Sequence, residues 1–174
     1  MTVCALLLTG TVGAGKSTTA DRVGDRLQAS GVPHAVIDLD EIRRSWPTPT
    51  GDRFGFDMEL RNLAPLVDNY VAGGAERLVL AGVCETLQDR AQFEAILGVP
   101  LTVCRLRARA DTLHARLCHR HVDDESGLDW HLARAGELDG ILDAAGVADI
   151  EIAVDGLTRD DVAKTVLDAI GWSG

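Results

Sequence analysis

With 174 residues, 46% apolar and 25% charged, the chain has ordinary proportions for a soluble globular protein and length enough to bury a core as a single domain, residues 1–174. A net charge of −10 speaks against a nucleic-acid surface or an anionic membrane as partner. No apolar run reaches bilayer-spanning length and no basic lead-in opens the chain, so a cytoplasmic protein is expected, as monomer or homodimer.

Val3 to Leu8 is a continuous apolar run, the pattern of a strand buried on both faces. A glycine-rich segment follows and opens a helix from Lys16 to about Ser30, with Ala20, Val23 and Leu27 on one face and Gly31 as its stop. His34 to Leu39 reads as the second strand. A helix over Leu60 to Val71 groups Leu60, Leu63, Val67 and Tyr70, and Pro65 is expected to begin a turn or kink it. Strands at Arg77–Val83, Leu101–Leu106 and Ile150–Val154 alternate with helices at Leu87–Leu97, from about Asp111 to Arg120, at Leu128–Ala145 and at Thr158–Ile170. Thr158 and Asp161 form a capping pair, and the polar run His121–Gly127 predicts an exposed loop. The alternation predicts one α/β domain, a five-stranded parallel sheet with helices on both faces. The cysteines, Cys4, Cys84, Cys104 and Cys118, form no CxxC pair and suggest no disulfide.

Gly10-Thr11-Val12-Gly13-Ala14-Gly15-Lys16-Ser17 fits GxxxxGK[ST], with a strand before it and a helix after it, in a chain whose only other lysine is Lys164. Glycines let main-chain N–H groups converge on phosphate oxygens, Lys16 adds a point charge, and the helix end adds positive potential. Ser17 offers a hydroxyl to Mg²⁺, and Thr18 completes the expected nucleotide-binding set. There is no Asn-Lys-x-Asp guanine-reading motif.

Asp38 and Asp40 fall at the carboxyl end of the second strand, where ligands of open α/β sheets bind. Either could position an acceptor hydroxyl and take its proton, hold Mg²⁺, or cap the helix that follows. Leu78 to Gly82 ends without a Walker B aspartate, which moves the metal role towards Asp38 or Asp40 beside Ser17; Glu85 could also approach the ion. Arginines cluster twice, at Arg43, Arg44, Arg53 and Arg61 and again at Arg105, Arg107, Arg109, Arg116 and Arg120, suggesting small anionic ligands. Trp46 reads either as lining for the acceptor pocket or as a loop anchor, Trp130 and Trp172 as packing residues. His114, Cys118 and His121 have helical spacing but no evident fourth ligand, so surface histidines are the plainer reading.

The chain resembles P-loop small-molecule kinases, adenylylsulfate kinase above all, with gluconate kinase, shikimate kinase and chloramphenicol phosphotransferase as related families. Asp38-Leu39-Asp40-Glu41-Ile42-Arg43 matches Asp-Gly-Asp-x-x-Arg except at Leu39, a side chain expected to crowd whatever approaches there. Arg61-Asn62-Leu63 through Tyr70 to Gly74 is similar to the substrate-side helix, and Val154-Asp155-Gly156 to the adenine-side loop; Ser45–Thr50 is unlike the sulfate kinase's substrate segment. The resemblance implies a P-loop NTPase fold like that of nucleoside-monophosphate kinases, with a short helical lid at about 111–127. It implies ATP with Mg²⁺, and transfer of the γ-phosphoryl group to a hydroxyl of a small metabolite or natural product, which the arginines after the second strand suggest is anionic. It carries over Asp40 as base, Arg43 and Arg61 as substrate contacts, and Arg116 and Arg120 as lid arginines. A nucleoside or nucleotide kinase and an ATP-gated binding module are the alternatives.

Overall fold

The computed structural model describes residues 2–52, 54–120 and 125–173; the side chains of Arg120 and Glu125 fall outside that description. Five parallel strands, β1 (Cys4–Thr9), β2 (His34–Asp38), β3 (Arg77–Ala81), β4 (Leu101–Arg107) and β5 (Ile150–Ala153), form one sheet in the order β2-β3-β1-β4-β5. The connections are α1 (Lys16–Ala29), α2 (Leu39–Ile42), α3 (Phe56–Ala72), α4 (Leu87–Leu97), α5 (Ala110–Arg120), α6 (Glu125–Ala145) and α7 (Arg159–Ala169).

Alternation along the central strands feeds two cores. Leu6 and Leu8 of β1 and Val79 of β3 pack with Val23 and Leu27 of α1 and Val166 of α7. Ala5, Leu7, Leu78 and Leu80 face the other way, onto Leu63 of α3, Phe93 of α4 and Leu138 of α6. A sheet covered on both faces explains the continuous apolar runs of its central strands, 4–8 in β1 and 78–81 in β3. β1 lies in the middle, its connection crossing to β2 on one side while β3 connects to β4 on the other. Such a reversal opens a crevice at the carboxyl ends of β1 and β3.

The structure departs from the pattern reading in three places. α3 begins at Phe56, ahead of the expected Leu60, because the buried carboxylate of Asp52 accepts the N–H groups of Asp57 (3.2 Å) and Met58 (3.1 Å). Pro65 lies inside α3; it is exposed, so the carbonyl of Arg61 that loses its amide partner is on the wet side of the helix. Residues 125–127, expected in a loop, start α6; residues 121–124, and with them His121, are outside the described residues. Thr158 and Asp161 do form a capping box on α7. No helix among the described residues is long and apolar enough to cross a membrane.

Candidate active site

The crevice is a cleft of about 1070 Å³, floored by the loop after β1 and walled by the ends of β2 and β3 and by α5 and α6. Val12 through Thr18 line it, and the ends of α5 and α6 press on the loop from above. Leu113 and Leu117 pack where a Cβ on Gly13 would project, at 3.4 to 3.6 Å, and Thr11 Oγ1 donates to the carbonyl of Ala135 at 2.6 Å. The loop is therefore held in place by two helices as well as by its own strand.

Lys16 Nζ donates to the carbonyls of Gly10 (3.1 Å) and Thr11 (3.3 Å), while Arg116 of α5 donates to those of Gly13 (3.2 Å) and Ala14 (3.3 Å). Two cations thus flank the loop, resting on main-chain dipoles. Gly15, at φ 97°, closes the cradle: a Cβ there would project towards the Arg116 guanidinium, 3.9 Å away. Converging main-chain N–H groups, a helix N-terminus and two cations form a donor set that fits a triphosphate, and the Ser17 hydroxyl in the same wall fits Mg²⁺. Arg120, the other expected lid arginine, lies with its side chain outside the described residues, as does Arg53 of the first cluster.

The two aspartates are placed differently. Asp38 Oδ1 accepts the N–H of Asp40 at 2.9 Å as the N-cap of α2, and Asp38 does not line the cleft. Asp40 does line the cleft. Leu39 does not crowd the site either. It is 0% exposed and points into the core, against Gly82 at the end of β3, where even a Cβ would come within 2.5 Å of Leu39 Cδ1. Loss of glycine at one position is matched by glycine at another.

Asp40 is held by Arg43, whose guanidinium also donates to Glu59 Oε2 at 3.2 Å. Glu59 is 1% exposed and its Oε1 has no hydrogen-bond partner. Burial pushes its carboxyl up to about 8, against the pull of Arg43 and helped by Asp40, Asp52 and Asp89. Sequence reasoning missed Glu59, although an acid heading the buried stripe Glu59-Leu63-Val67 of α3 is a readable signal. Arg134 of α6 also lines the cleft; it pairs with Glu85, which follows β3, and with Glu137 at 3.0 Å, and its guanidinium lies 4.8 Å from the Phe54 ring centroid. Asp89 accepts the N–H of Glu85 at 3.0 Å, fixing that turn.

Several expected contacts are not brought together. Trp46 is 94% exposed and outside the cleft: Arg43 and Asp52 anchor both ends of its connection, while the stretch between carries the indole outwards. Arg61 is exposed and does not line the cleft, since it is two residues from Glu59 on α3 and so on the opposite side of the helix. In the second cluster Arg105, 2% exposed, binds Asp139 and Asp143 of α6 (2.7 Å each) and Glu151 of β5 (3.3 Å), and Arg107 binds Asp143 and Glu151. These two arginines fasten α6 and β5 to β4 and reach no ligand. Trp130, read as packing, is 54% exposed and lines the cleft, next to His131 at 4.8 Å between ring centroids. Cys118 Sγ contacts His114 Nδ1 at 3.5 Å.

With this geometry in hand, the relatives are informative. The adenylylsulphate kinase family model matches residues 2–142. A probable adenylyl-sulfate kinase of Bacillus subtilis (strain 168) is 29% identical over 115 residues, 60% of this chain and 57% of that protein, so the match spans little more than half of the relative. Two solved structures align over nearly their whole length. The tunicamycin resistance protein of Deinococcus radiodurans has a TM-score of 0.69 at 16% identity, covering 97% of this chain and 96% of that one. The APS kinase of Mycobacterium tuberculosis, solved with AMPPNP and APS, has a TM-score of 0.60 at 23% identity, covering 98% of both chains. At such identities these two structures share the fold.

Proposed function

Since the chain belongs to the adenylylsulphate kinase family, we propose that it is an ATP-dependent phosphotransferase that moves the γ-phosphoryl group to a hydroxyl of a small molecule. The single observation that carries this reading is the pairing of two cations on the loop with one carboxylate, Asp40, across the same cleft. Phosphoryl transfer needs little covalent chemistry from the protein; it needs the two oxygens in line and the charge on the moving group offset.

The roles follow from position. Main-chain N–H groups of residues 10–15 and Lys16 grip the phosphates of ATP, and Arg116 approaches the loop from α5. Ser17 would hold Mg²⁺, which, when bound, screens the charge between the β- and γ-phosphates. Asp40, oriented by Arg43, receives the acceptor hydroxyl's hydrogen bond and then its proton. The helices α5 and α6 cover the loop and keep water from the transferring group. The protein acts as a cytoplasmic enzyme.

The test is ADP release from Mg·ATP over a panel of sugar acids, nucleosides, nucleotides, adenylylsulfate, hydroxy amino acids and antibiotics. We expect one class to stimulate release, with Lys16→Ala abolishing it in a folded protein. Asp40→Asn should lower the stimulated rate about a hundredfold while leaving ATP affinity unchanged. Normal turnover in Lys16→Ala would remove the assignment of the loop, and an unaffected Asp40→Asn would remove that of the base.

A further inference from the structure

Resting on the phosphotransferase reading, we propose that the acceptor is a hydroxylated compound without net negative charge. The arginine cluster after β2 suggests an anionic acceptor, but Arg43 and Arg44 of that cluster, like Arg134 of α6, are already engaged. Arg43 is shared between Asp40 and Glu59, Arg134 between Glu85 and Glu137, and Arg44 meets Glu41 at 2.9 Å. Among the described residues, five carboxyl groups therefore meet three guanidinium groups that line the cleft. Arg61, the third described arginine of the cluster after β2, does not line the cleft.

The pairs are not equally easy to break. Arg44 and Glu41 are both exposed, and such a pair has little hold on either partner. The other two are different. Glu59 is 1% exposed, and turning Arg43 towards an acceptor would take from that buried acid the guanidinium that donates to its Oε2 and from Asp40 its ion-pair partner. Arg134 is itself mostly buried, at 12%, between Glu85 and the Phe54 ring. A phosphate or sulfate entering beside Asp40 would have to pull these arginines from their carboxylates and then sit among the acids left behind, with the triphosphate of ATP opposite. A neutral or cationic polyol meets none of this opposition, because carboxylates and paired guanidinium groups still hydrogen-bond to hydroxyls.

The experiment uses one matched pair of probes, adenosine and adenylylsulfate, which differ by the phosphosulfate. Each is titrated calorimetrically into wild type saturated with Mg·AMPPNP and into Glu85→Gln/Glu137→Gln, which releases Arg134. In wild type adenylylsulfate should bind no better than adenosine, and the double variant should gain at least tenfold in affinity for adenylylsulfate alone. Glu41→Gln, a surface change that releases Arg44, should give a smaller gain of the same sign. Tighter binding of adenylylsulfate than of adenosine by wild type would overturn the proposal. So would the absence of any gain in both variants. AMPPNP affinity, measured first in every protein, reports that the variants are folded and tests the nucleotide site by itself. A failure there sinks the phosphotransferase reading, and the probes can still be compared in the nucleotide-free protein.

Discussion

Beside the phosphate loop Lys16 and Arg116 donate to main-chain carbonyls, whereas elsewhere in the cleft Arg43 closes on the carboxylate of Asp40 and Arg134 on that of Glu85. A carbonyl dipole is readily exchanged for a phosphate oxygen, because the incoming anion binds the cation more strongly than the dipole did. A carboxylate is not, because it is left behind as a second negative charge. Arg116 is thus placed to exchange its partners for an anion, whereas Arg43 and Arg134 are balanced without one. Counting arginines along the chain does not separate the two cases; counting their partners does.

The largest effect that would sharpen this contrast is on stability, at Glu59. Its folded-state carboxyl is raised to about 8 by burial, above the ordinary 4.5, so the folded chain keeps a proton that the unfolded chain releases. That stabilising contribution is complete below pH 4.5 and is lost as the pH rises to 8 and beyond. The slope is about 1.4 kcal/mol per pH unit, and over the whole window the loss approaches about 5 kcal/mol. Urea denaturation of wild type and Glu59→Gln across pH 5 to 9 should show the slope only in wild type. Parallel profiles would mean that the cluster around Arg43 carries no cost for its buried acid, and the contrast with the phosphate loop would weaken.

A smaller effect is expected where α2 joins the sheet. Gly82→Ala places a Cβ 2.5 Å from Leu39 Cδ1 and 2.8 Å from Leu39 Cβ; a Cβ cannot swing aside as a side-chain tip can. Overpacking of this kind should lower stability by about 2 kcal/mol. Leu39→Ala should be costly alone for the cavity it leaves, yet the double variant should lose less than the sum of the two. Additive losses would show that Leu39 is not what Gly82 makes room for, and the crowding expected from the family pattern would return as a question.

The same contrast separates what was legible in the sequence from what was not. The central strands could be read because a doubly covered sheet makes each a short apolar run, as at residues 4–8 of β1. The phosphate loop could be read because its chemistry is local: a few successive residues supply the N–H groups, the lysine and the hydroxyl. The start of α3 was hidden because its cap is Asp52, a carboxylate reaching forward five and six residues to the helix. Elsewhere in the cleft Arg43 meets Glu59 sixteen residues on, and Arg134 meets Glu85 forty-nine residues back. Pairings at such separations have no periodic signature. Arg105 and Arg107 misled for the same reason, since their acids lie on α6 and β5.

The smallest effect tests the contrast most directly, because one substitution is made on both sides of it. Arg116→Ala removes a cation that holds only loop carbonyls in the hydrogen bonds seen here, and it leaves no buried acid behind. It should raise the Kd for Mg·ATP about tenfold, roughly 1.4 kcal/mol, with Tm almost unchanged. Arg134→Ala should do the reverse. It deprives Glu85 of its partner and Phe54 of the guanidinium over its ring, for a loss of about 1 kcal/mol and a fall in Tm of a few degrees, with the Kd for Mg·ATP within about twofold of wild type. Calorimetry and a thermal melt on each variant suffice. If Arg134→Ala weakened ATP as much as Arg116→Ala did, Arg134 would belong with Arg116 and its carboxylates would be a latch released by nucleotide. The carboxylate-held arginines would then have lost their best-buried member, and the case for an uncharged acceptor would rest on Arg43 alone.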